Sequence, residues 1–447
     1  MENSVVGTAV FVGVSFSGPL CAWLVEHLGF RKTLTMSAIV SFLGVFLLAE
    51  TYVGYLSDNY ILCSLYLIFI GAASSASYLC ALDSQAYNFK SYRGMSLGLT
   101  SASLGISGLV FSQINDKFFK SNSEELEQDS STFRFLLFFG CTTACITLFA
   151  SFILGPIHHP KLPSIKQPIL NKDTENYAAT TNGLYRISSC STQHEEESSD
   201  TDVFFENDTI SSSVQIEDED EINQSGLAVL LDPVGSSLFL SLLVILGFGY
   251  VYLTNIETLL ISLSKNTMTL SETQHLRNLH ISTFSVSNCM TRAVFGTLSD
   301  ILQRRTGMHR LWFIWFGALG LLLSVTPLIM SVSNADDLLS YSLLIAIPYG
   351  IAFGIAPAII SEFGTKTFAK NWGWCMCAPA IGSQLFNLLF GFVYAKELKR
   401  QGGEICYGID CFKTTFVIGA VSACTCVVVL SASIYRKALY TVYLKDY

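Results

Sequence analysis

Charged residues are scarce in this chain of 447 residues. Only 14% are Asp, Glu, Lys or Arg, whereas 51% are hydrophobic and the mean hydropathy is +0.46. A soluble domain of this composition would have too little polar surface to face water. The scarcity of charge therefore excludes an ordinary soluble protein and favours the lipid bilayer as the solvent.

The sequence signatures of common enzyme sites are also missing. The chain has no phosphate-binding P-loop, no dinucleotide-binding glycine fingerprint and no nucleophile elbow. Its 13 cysteines and 7 histidines lack the spacing of metal ligands. Most of the cysteines fall within apolar runs, where a thiol packs as a small apolar group. We therefore expect neither an enzyme nor a metal site nor a cofactor.

Long apolar segments, in contrast, are abundant, and eleven of them have the length of about 20 residues that crosses a bilayer as a helix. Lipid offers no hydrogen bonds to backbone amides, and these runs do not alternate apolar with polar residues, so we predict helices. The predicted spans are 5–26, 34–56, 60–83, 95–115, 135–155, 234–261, 279–301, 311–332, 337–361, 371–396 and 413–435. The chain is thus predicted to be an all-α membrane protein.

One acidic stretch divides the spans into two groups. It contains 15 acidic and 4 basic residues, so the net charge of −9 of the whole chain arises there. A segment so polar cannot bury enough apolar surface to fold, and we predict a disordered linker. The predicted organisation is an N-terminal bundle of five spans at 1–155, a linker at 156–232, a C-terminal bundle of six spans at 233–435 and a tail at 436–447.

Lys and Arg residues predict the orientation, because they accumulate in short cytosolic loops. If the linker is cytosolic, that side holds 16 of the 26 basic residues and the opposite side holds 9, with Arg292 inside a span. The linker and the tail are therefore predicted to be cytosolic. Outside the linker the net charge is near +2, which does not indicate a nucleic-acid partner. The expected partner is the lipid bilayer, because the spans are apolar.

Two cysteines differ from the others in their position. Cys406 and Cys411 both lie in the last loop on the non-cytosolic side, an environment in which disulfides form. A disulfide between them is one expectation, and two free thiols are the other.

Two loops carry related motifs. The loop after the first span has an acidic residue, a glycine and a basic pair, and the loop after the seventh span has the order Gly-x-x-x-Asp followed by two arginines. Both resemble the signature loop of the major facilitator superfamily, which implies two rocking bundles and a charged latch at the cytosolic face. An alternative is that these charges only set the topology. The residues of the predicted cytosolic latch in the two loops are Glu26, Gly29, Arg31, Lys32, Gly296, Asp300, Arg304 and Arg305.

Within that superfamily the chain resembles nodulin-like proteins and the fungal homologues of monocarboxylate transporters. The segments that carry the resemblance are 93–99, 247–255 and 378–383. The resemblance aligns the first span with the family's second helix, so the usual first helix has no counterpart. Either the sequence begins too late, which we favour, or the protein has eleven spans. The resemblance also implies a monomer and favours the vacuolar membrane over the plasma membrane.

Arg292 is the candidate of greatest interest for binding a solute, because charged residues in the middle of a span are costly and usually face a cavity. In monocarboxylate transporters an Asp precedes such an Arg by four residues. Here Asn288 stands in its place, so an anion contact is kept but that proton site is not. An alternative is that Arg292 is a structural tie to backbone carbonyls or to the cytosolic end. Glu257 could carry the proton instead, or it could lie in water at the outer end. Tyr250 and Asn255 are further candidates to line the cavity.

Two hypotheses of function follow from the sequence. The first is a secondary transporter that moves a small organic solute, such as a monocarboxylate-like anion, by alternating access, with a proton as a candidate co-substrate. The second is a transporter-like receptor or scaffold that moves no solute and acts through the linker.

Overall fold

A computed structural model of the chain describes residues 2–119, 125–155, 223–264, 270–332 and 334–439. Within these ranges the chain is helical and contains no strand. Before the predicted linker lie α1 (Glu2–Phe16), α2 (Gly18–Val53), α3 (Tyr60–Asn88), α4 (Arg93–Ile114) and α5 (Glu125–Ile153). Most of that linker, residues 156–222, and the end of the tail lie outside the described residues.

The second part of the chain contains nine further helices among the residues described. They are α6 (Leu227–Leu231), α7 (Pro233–Thr254), α8 (Ile256–Ser264), α9 (Leu270–Thr306), α10 (Leu311–Ser331), α11 (Leu338–Ser361), α12 (Phe368–Cys375), α13 (Cys377–Gln401) and α14 (Asp410–Arg436). The short α6 falls inside the segment predicted as linker, so helical structure begins slightly earlier than the sequence suggested.

Nine segments in the described part of the chain are long and apolar enough to cross a membrane. They include α2, α3, α4, α5, α7, α10, α11 and α14, and the continuous pair of α12 and α13. The prediction of an all-α membrane protein is thus confirmed. Two predicted spans do not match one of these nine segments. The span 5–26 is divided between α1 and α2, and the span 279–301 lies within α9, whose 37 residues have a low average hydrophobicity.

The first two predicted spans meet inside one long helix. The chain breaks at Ser17, where the following helix starts with Pro19 in its first turn, a position at which proline needs no hydrogen-bond partner for its nitrogen. It then bends at Gly29, whose φ of +79° is a conformation that favours glycine. The loop predicted between these spans is therefore a kink in α2.

Helices of each part pack mainly on one another. In the first part α3 packs against α1 and α2, and α5 packs against α2; in the second part α7 packs against α13 and α14, and α10 packs against α11 and α14. The core beside α7 is aromatic, with the ring of Phe248 lying 5.6 Å from that of Phe386 and 5.3 Å from that of Phe416. These contacts leave α4 as the main connection between the two parts.

Glycines allow α4 to approach α9 closely. A Cβ atom added to Gly296 would lie 2.5 Å from the carbonyl oxygen of Gly94 and 3.0 Å from the Cα atom of Gly98. Small residues of this kind let membrane helices pack backbone against backbone. The α4 helix also packs against α11. Side chains of α4, α9 and α11 are thereby brought together within the membrane.

The last loop on the predicted outer side contains a disulfide. Cys406 and Cys411 are joined across the turn that precedes α14. Cys411 and Cys406 are both fully buried. Of the two expectations from the sequence, the structure has the disulfide.

Candidate functional site

Arg292 lies in the middle of α9 and is almost completely buried, with 3% of its surface exposed. Its Nε donates a hydrogen bond to Oδ1 of Asn288 over 2.8 Å. Its Nη1 donates to the backbone oxygen of Ser101 over 2.7 Å and to the Ser101 Oγ over 3.1 Å. The guanidinium also lies over the ring of Phe353, 4.4 Å from the centroid. Four contacts from three helices thus hold one charge.

This arrangement follows from the sequence of each helix. Asn288 and Arg292 are four residues apart and therefore neighbours on one face of α9. Ser101 is small enough to let α4 approach, and its own hydroxyl donates to the backbone oxygen of Phe353 on α11 over 3.2 Å. The arginine consequently sits where α4, α9 and α11 meet.

Arg292 has no anionic partner among the described residues. The ionisable side chains around it are Tyr78, Tyr349 and Cys289, none of which is a carboxylate, and no described carboxylate forms an ion pair with it. Its Nη2 donates no hydrogen bond within the described part of the chain. A buried cation without a counter-charge costs several kcal/mol. The site is therefore electrostatically suited to an anion that comes from outside the protein.

The other predicted binding residues lie away from Arg292. Glu257 at the start of α8 is 38% exposed at its side chain and forms an ion pair of 2.8 Å with Arg277. Arg277 precedes Arg292 on α9 by 15 residues, which is about 22 Å of helix. The carboxylate of Glu257 is thus paired and partly exposed, and the structure does not bring it to the buried arginine.

Tyr250 and Asn255 connect α7 to other helices. The ring of Tyr250 stacks on Phe11 of α1, with 4.1 Å between the centroids. The Nδ2 of Asn255 donates to Oδ1 of Asn387 on α13 over 2.9 Å. Tyr250 links the two parts of the molecule, whereas Asn255 bonds within the second part.

The second copy of the loop motif forms a compact cluster at the predicted cytosolic end. Oδ1 of Asp300 accepts a hydrogen bond from the amide of Gly94 over 2.9 Å, and Oδ2 accepts one from the amide of Met95 over 2.8 Å. These amides belong to the first turn of α4, where they have no partner within the helix. Nη2 of Arg310 bonds to Oδ1 of Asp300 over 2.7 Å. Asp300 therefore fastens α9 to the N-terminus of α4.

This cluster, which we call the cytosolic clasp, extends to the end of α11. It comprises Asp300, Arg310, Glu362, His309, Arg93 and the amides of Gly94 and Met95. Arg310 forms an ion pair with Glu362, and Nε2 of His309 lies 3.2 Å from Oε2 of Glu362. Nη1 of Arg93 donates to the backbone oxygen of Ser361 over 2.8 Å. The clasp thus joins α4 to both α9 and α11.

The sequence motif identified only part of the clasp. Asp300 pairs with Arg310, not with the predicted Arg304 or Arg305. Arg304 instead donates to the backbone oxygen of Ser91 and stacks on Tyr92, 3.7 Å from the ring centroid. No spacing in the sequence indicates Glu362, because it lies 52 residues beyond the arginine that it binds.

The first copy of the motif is arranged differently. Gly29 forms the kink in α2, and the guanidinium of Arg31 lies over the ring of Phe152 at 4.8 Å. Among the described residues, neither Glu26 nor Lys32 forms an ion pair. The structure therefore contains one assembled charge cluster and not two.

The clasp is expected to resist mild acid. Burial would raise the pKa of Glu362, but hydrogen bonds and positive charge from His309 and Arg310 outweigh it and hold that pKa below the ordinary value of 4.5. A carboxyl with a lowered folded-state pKa stabilises the fold above its unfolded pKa and loses that contribution as pH falls through the folded value.

We therefore expect the protein to melt at a higher temperature than its Glu362→Gln variant at pH 7. The difference should persist to about pH 5 and shrink as the pH falls below 4.5. Glu404→Gln, in an exposed loop position, is the matched control and should melt like the wild type throughout. A difference that is already absent at pH 6 would contradict this account of the clasp.

A cavity of about 410 Å³ lies between α2, α3, α4 and α5. Many of the residues around it carry hydroxyl groups, among them Ser77, Thr100, Ser103 and Thr143, and none is charged. Tyr78 of α3 lies on its wall and is also next to Ser101, which binds Arg292. Nothing in the local sequence distinguishes Tyr78 or Ser101 as a site residue from the other residues of apolar spans.

Comparison with known proteins gives a consistent assignment. A family model of the major facilitator superfamily matches residues 1–373. The probable transporter MCH1 of Gibberella zeae is 24% identical over 384 residues, which cover 78% of this chain and 66% of that protein. The probable transporter mch1 of Neurospora crassa is 23% identical over 404 residues, which cover 79% of this chain and 67% of that protein. The chain thus spans about two thirds of the length of these relatives.

Solved structures of transporters share the fold. The proton:xylose symporter XylE superposes with a TM-score of 0.60 at 15% identity, covering 94% of this chain and 85% of that one. The human organic anion transporter MFSD10 superposes with a TM-score of 0.57 at 11% identity, covering 96% and 83%. Identities this low establish the fold alone. Because the family model matches most of the chain, this protein belongs to the major facilitator superfamily.

Proposed function

We propose that the protein is a secondary transporter of a small organic anion that carries a carboxylate. The observation behind this proposal is the buried guanidinium of Arg292, which has no counter-charge among the described residues. Residues of this kind in membrane helices pair with one another or with backbone carbonyls, as Arg292 does with Ser101, and they mark the pathways of solutes and ions. A carboxylate is a good partner because it can accept charge-assisted hydrogen bonds from a guanidinium.

Alternating access accounts for the second feature of the site. The cytosolic clasp closes α4 against α9 and α11 on one side of Arg292, and most of its strength comes from charged groups that can exchange partners. Transporters of this fold move two bundles about a central site. We propose that breaking the clasp opens the way from Arg292 to the cytosol.

The proposed substrate, co-substrate and membrane each rest on a different observation. The fungal relatives are known only as probable transporters, so the proposal of a carboxylate rests on Arg292. Asn288 cannot titrate, and coupling to a proton would therefore use a group other than this neighbour of Arg292. A vacuolar location and a monomeric state rest on the resemblance to fungal homologues.

The experiment that tests this proposal is uptake into proteoliposomes of radiolabelled acetate, lactate and pyruvate, with a neutral sugar as a comparison. We expect uptake of at least one carboxylate, loss of that uptake by about 100-fold or more in Arg292→Gln, and partial retention in Arg292→Lys. Loss of a charged hydrogen-bonding partner in a buried site typically costs 2–5 kcal/mol, which is the basis of this magnitude.

The matched control is Arg400→Gln. Arg400 lies at the end of α13 with 69% of its side chain exposed, and its pairing with Glu397 is expected to contribute little. This variant should transport like the wild type. Carboxylate uptake by Arg292→Gln at the wild-type rate would overturn the proposed function.

A further inference from the structure

We propose that Tyr78 donates a second hydrogen bond to the anion that Arg292 binds, so that the solute bridges α3 and α9. This inference rests on the proposed function and adds a residue of α3 to a site built from α4, α9 and α11. It also narrows the solute to one with two acceptor oxygens close together, as in a carboxylate.

This inference starts from the hydroxyl of Tyr78. It is buried, it lies near the Ser101 hydroxyl without the geometry of a hydrogen bond, and it has no other partner among the described residues. A buried hydroxyl without a partner is costly, and native structures contain few of them. The position of this one is therefore explained if a ligand provides the missing acceptor.

Arg292 also has a hydrogen-bond donor that is not used within the described residues. Its Nε and Nη1 are occupied by Asn288 and Ser101, whereas its Nη2 donates no hydrogen bond within the described residues. Tyr78 lies beside Ser101, whose hydroxyl accepts a hydrogen bond from Nη1 of Arg292 over 3.1 Å. Two unused donors next to one positive charge match the two oxygens of a carboxylate better than they match a neutral solute.

Tyr78 borders a space that a solute could occupy. The tyrosine forms part of the wall of the 410 Å³ cavity, whose volume is that of a site for a small organic molecule. Ser77, Thr100 and Ser103 on this wall are uncharged and retain lone pairs that accept hydrogen bonds. Arg292 does not line this cavity, so Tyr78 is the residue that would connect a carboxylate bound at Arg292 to these hydroxyl groups.

A purely structural role for the Tyr78 hydroxyl predicts a different behaviour. Another buried tyrosine, Tyr252, provides the comparison, because its hydroxyl bonds to Oγ of Ser342 over 2.8 Å and to the backbone oxygen of Leu338 over 3.3 Å. Removal of that hydroxyl breaks hydrogen bonds within the protein. Removal of the Tyr78 hydroxyl breaks none within the described residues.

The test compares Tyr78→Phe with Tyr252→Phe in the full-length protein, using the carboxylate that the uptake assay identifies among acetate, lactate and pyruvate. For Tyr78→Phe we expect the half-saturating concentration to rise about tenfold or more, with a solute-free melting temperature that is unchanged or higher, because an unpartnered buried hydroxyl is removed. For Tyr252→Phe we expect a lower melting temperature and an unchanged half-saturating concentration.

The two proposals fail in different ways. If Tyr78→Phe keeps the wild-type half-saturating concentration while Arg292→Gln loses uptake, the role of Tyr78 is overturned and the proposed function stands. If the melting temperature of Tyr78→Phe falls without a change in half-saturation, its hydroxyl is structural. If Arg292→Gln also transports normally, both proposals are overturned.

Discussion

Replacing Asp300 with alanine is expected to release the N-terminus of α4 and to open the cytosolic side of the protein. The substitution removes the acceptor of the Gly94 and Met95 amides and leaves Arg310 buried with one ion-pair partner fewer. Breaking a buried pair by removing one partner typically costs 3–5 kcal/mol, which corresponds to a factor of more than 100 in an equilibrium.

Amide hydrogen exchange measures the release of α4 at two backbone amides, those of Gly94 and Met95. In the wild type the amides of Gly94 and Met95 are protected by the Asp300 carboxylate, although first-turn amides of a helix normally have no acceptor within the helix. We expect the peptide that contains them to exchange about 100-fold faster in Asp300→Ala. An unchanged rate would show that the carboxylate does not hold α4.

The control for this experiment is Asp410→Ala. Asp410 is 59% exposed at its side chain and lies 3.7 Å from Arg400, so it represents an ion pair at the surface. Such pairs contribute about 0–1 kcal/mol. Its removal should leave exchange at Gly94 and Met95 unchanged, which separates loss of the clasp from loss of any carboxylate.

Replacing Asn288 with aspartate is expected to make the protein more stable and to weaken transport. The new carboxylate would lie next to the Nε of Arg292, where the asparagine oxygen is now 2.8 Å away. It would give the buried guanidinium the counter-charge that it lacks and would compete with a bound anion. We expect a higher melting temperature and a half-saturating concentration that is at least tenfold higher.

This substitution also distinguishes the proposed role of Arg292 from a structural one. If the arginine only ties α9 to the backbone of Ser101, Asn288→Asp should raise the melting temperature and leave anion uptake unchanged. Asn59→Asp is a suitable control. Asn59 caps the N-terminus of α3 with its side chain, a role that aspartate performs equally well. It should alter neither quantity.

The sequence predicts the membrane helices of this protein more reliably than their internal breaks. Length and hydrophobicity indicate nearly every span, because the bilayer imposes both on a helix. They do not reveal that the first span is broken at Ser17 or that Gly29 kinks α2, since both features depend on local backbone geometry. The low average hydrophobicity of α9 reflects the polar and charged residues at its two ends together with Asn288 and Arg292 in its middle.

Contacts within one helix turn can be predicted from the sequence, whereas contacts between helices cannot. The spacing of Asn288 and Arg292 indicates their hydrogen bond. The partners from α3, α4 and α11, Tyr78, Ser101 and Phe353, are far away in the sequence and have no local signature. The same reason explains why Arg310 and Glu362 were missed and why Arg304 was expected to pair with Asp300.

The most direct test of the account is the effect of a carboxylate on the melting temperature of the purified protein, with Arg292→Gln alongside. A ligand that binds the folded state at 100 times its Kd stabilises it by about 2.7 kcal/mol. We expect acetate, lactate or pyruvate to raise the melting temperature of the wild type by several degrees and to leave Arg292→Gln unchanged. Equal stabilisation of both proteins would contradict the claim that Arg292 binds the transported anion.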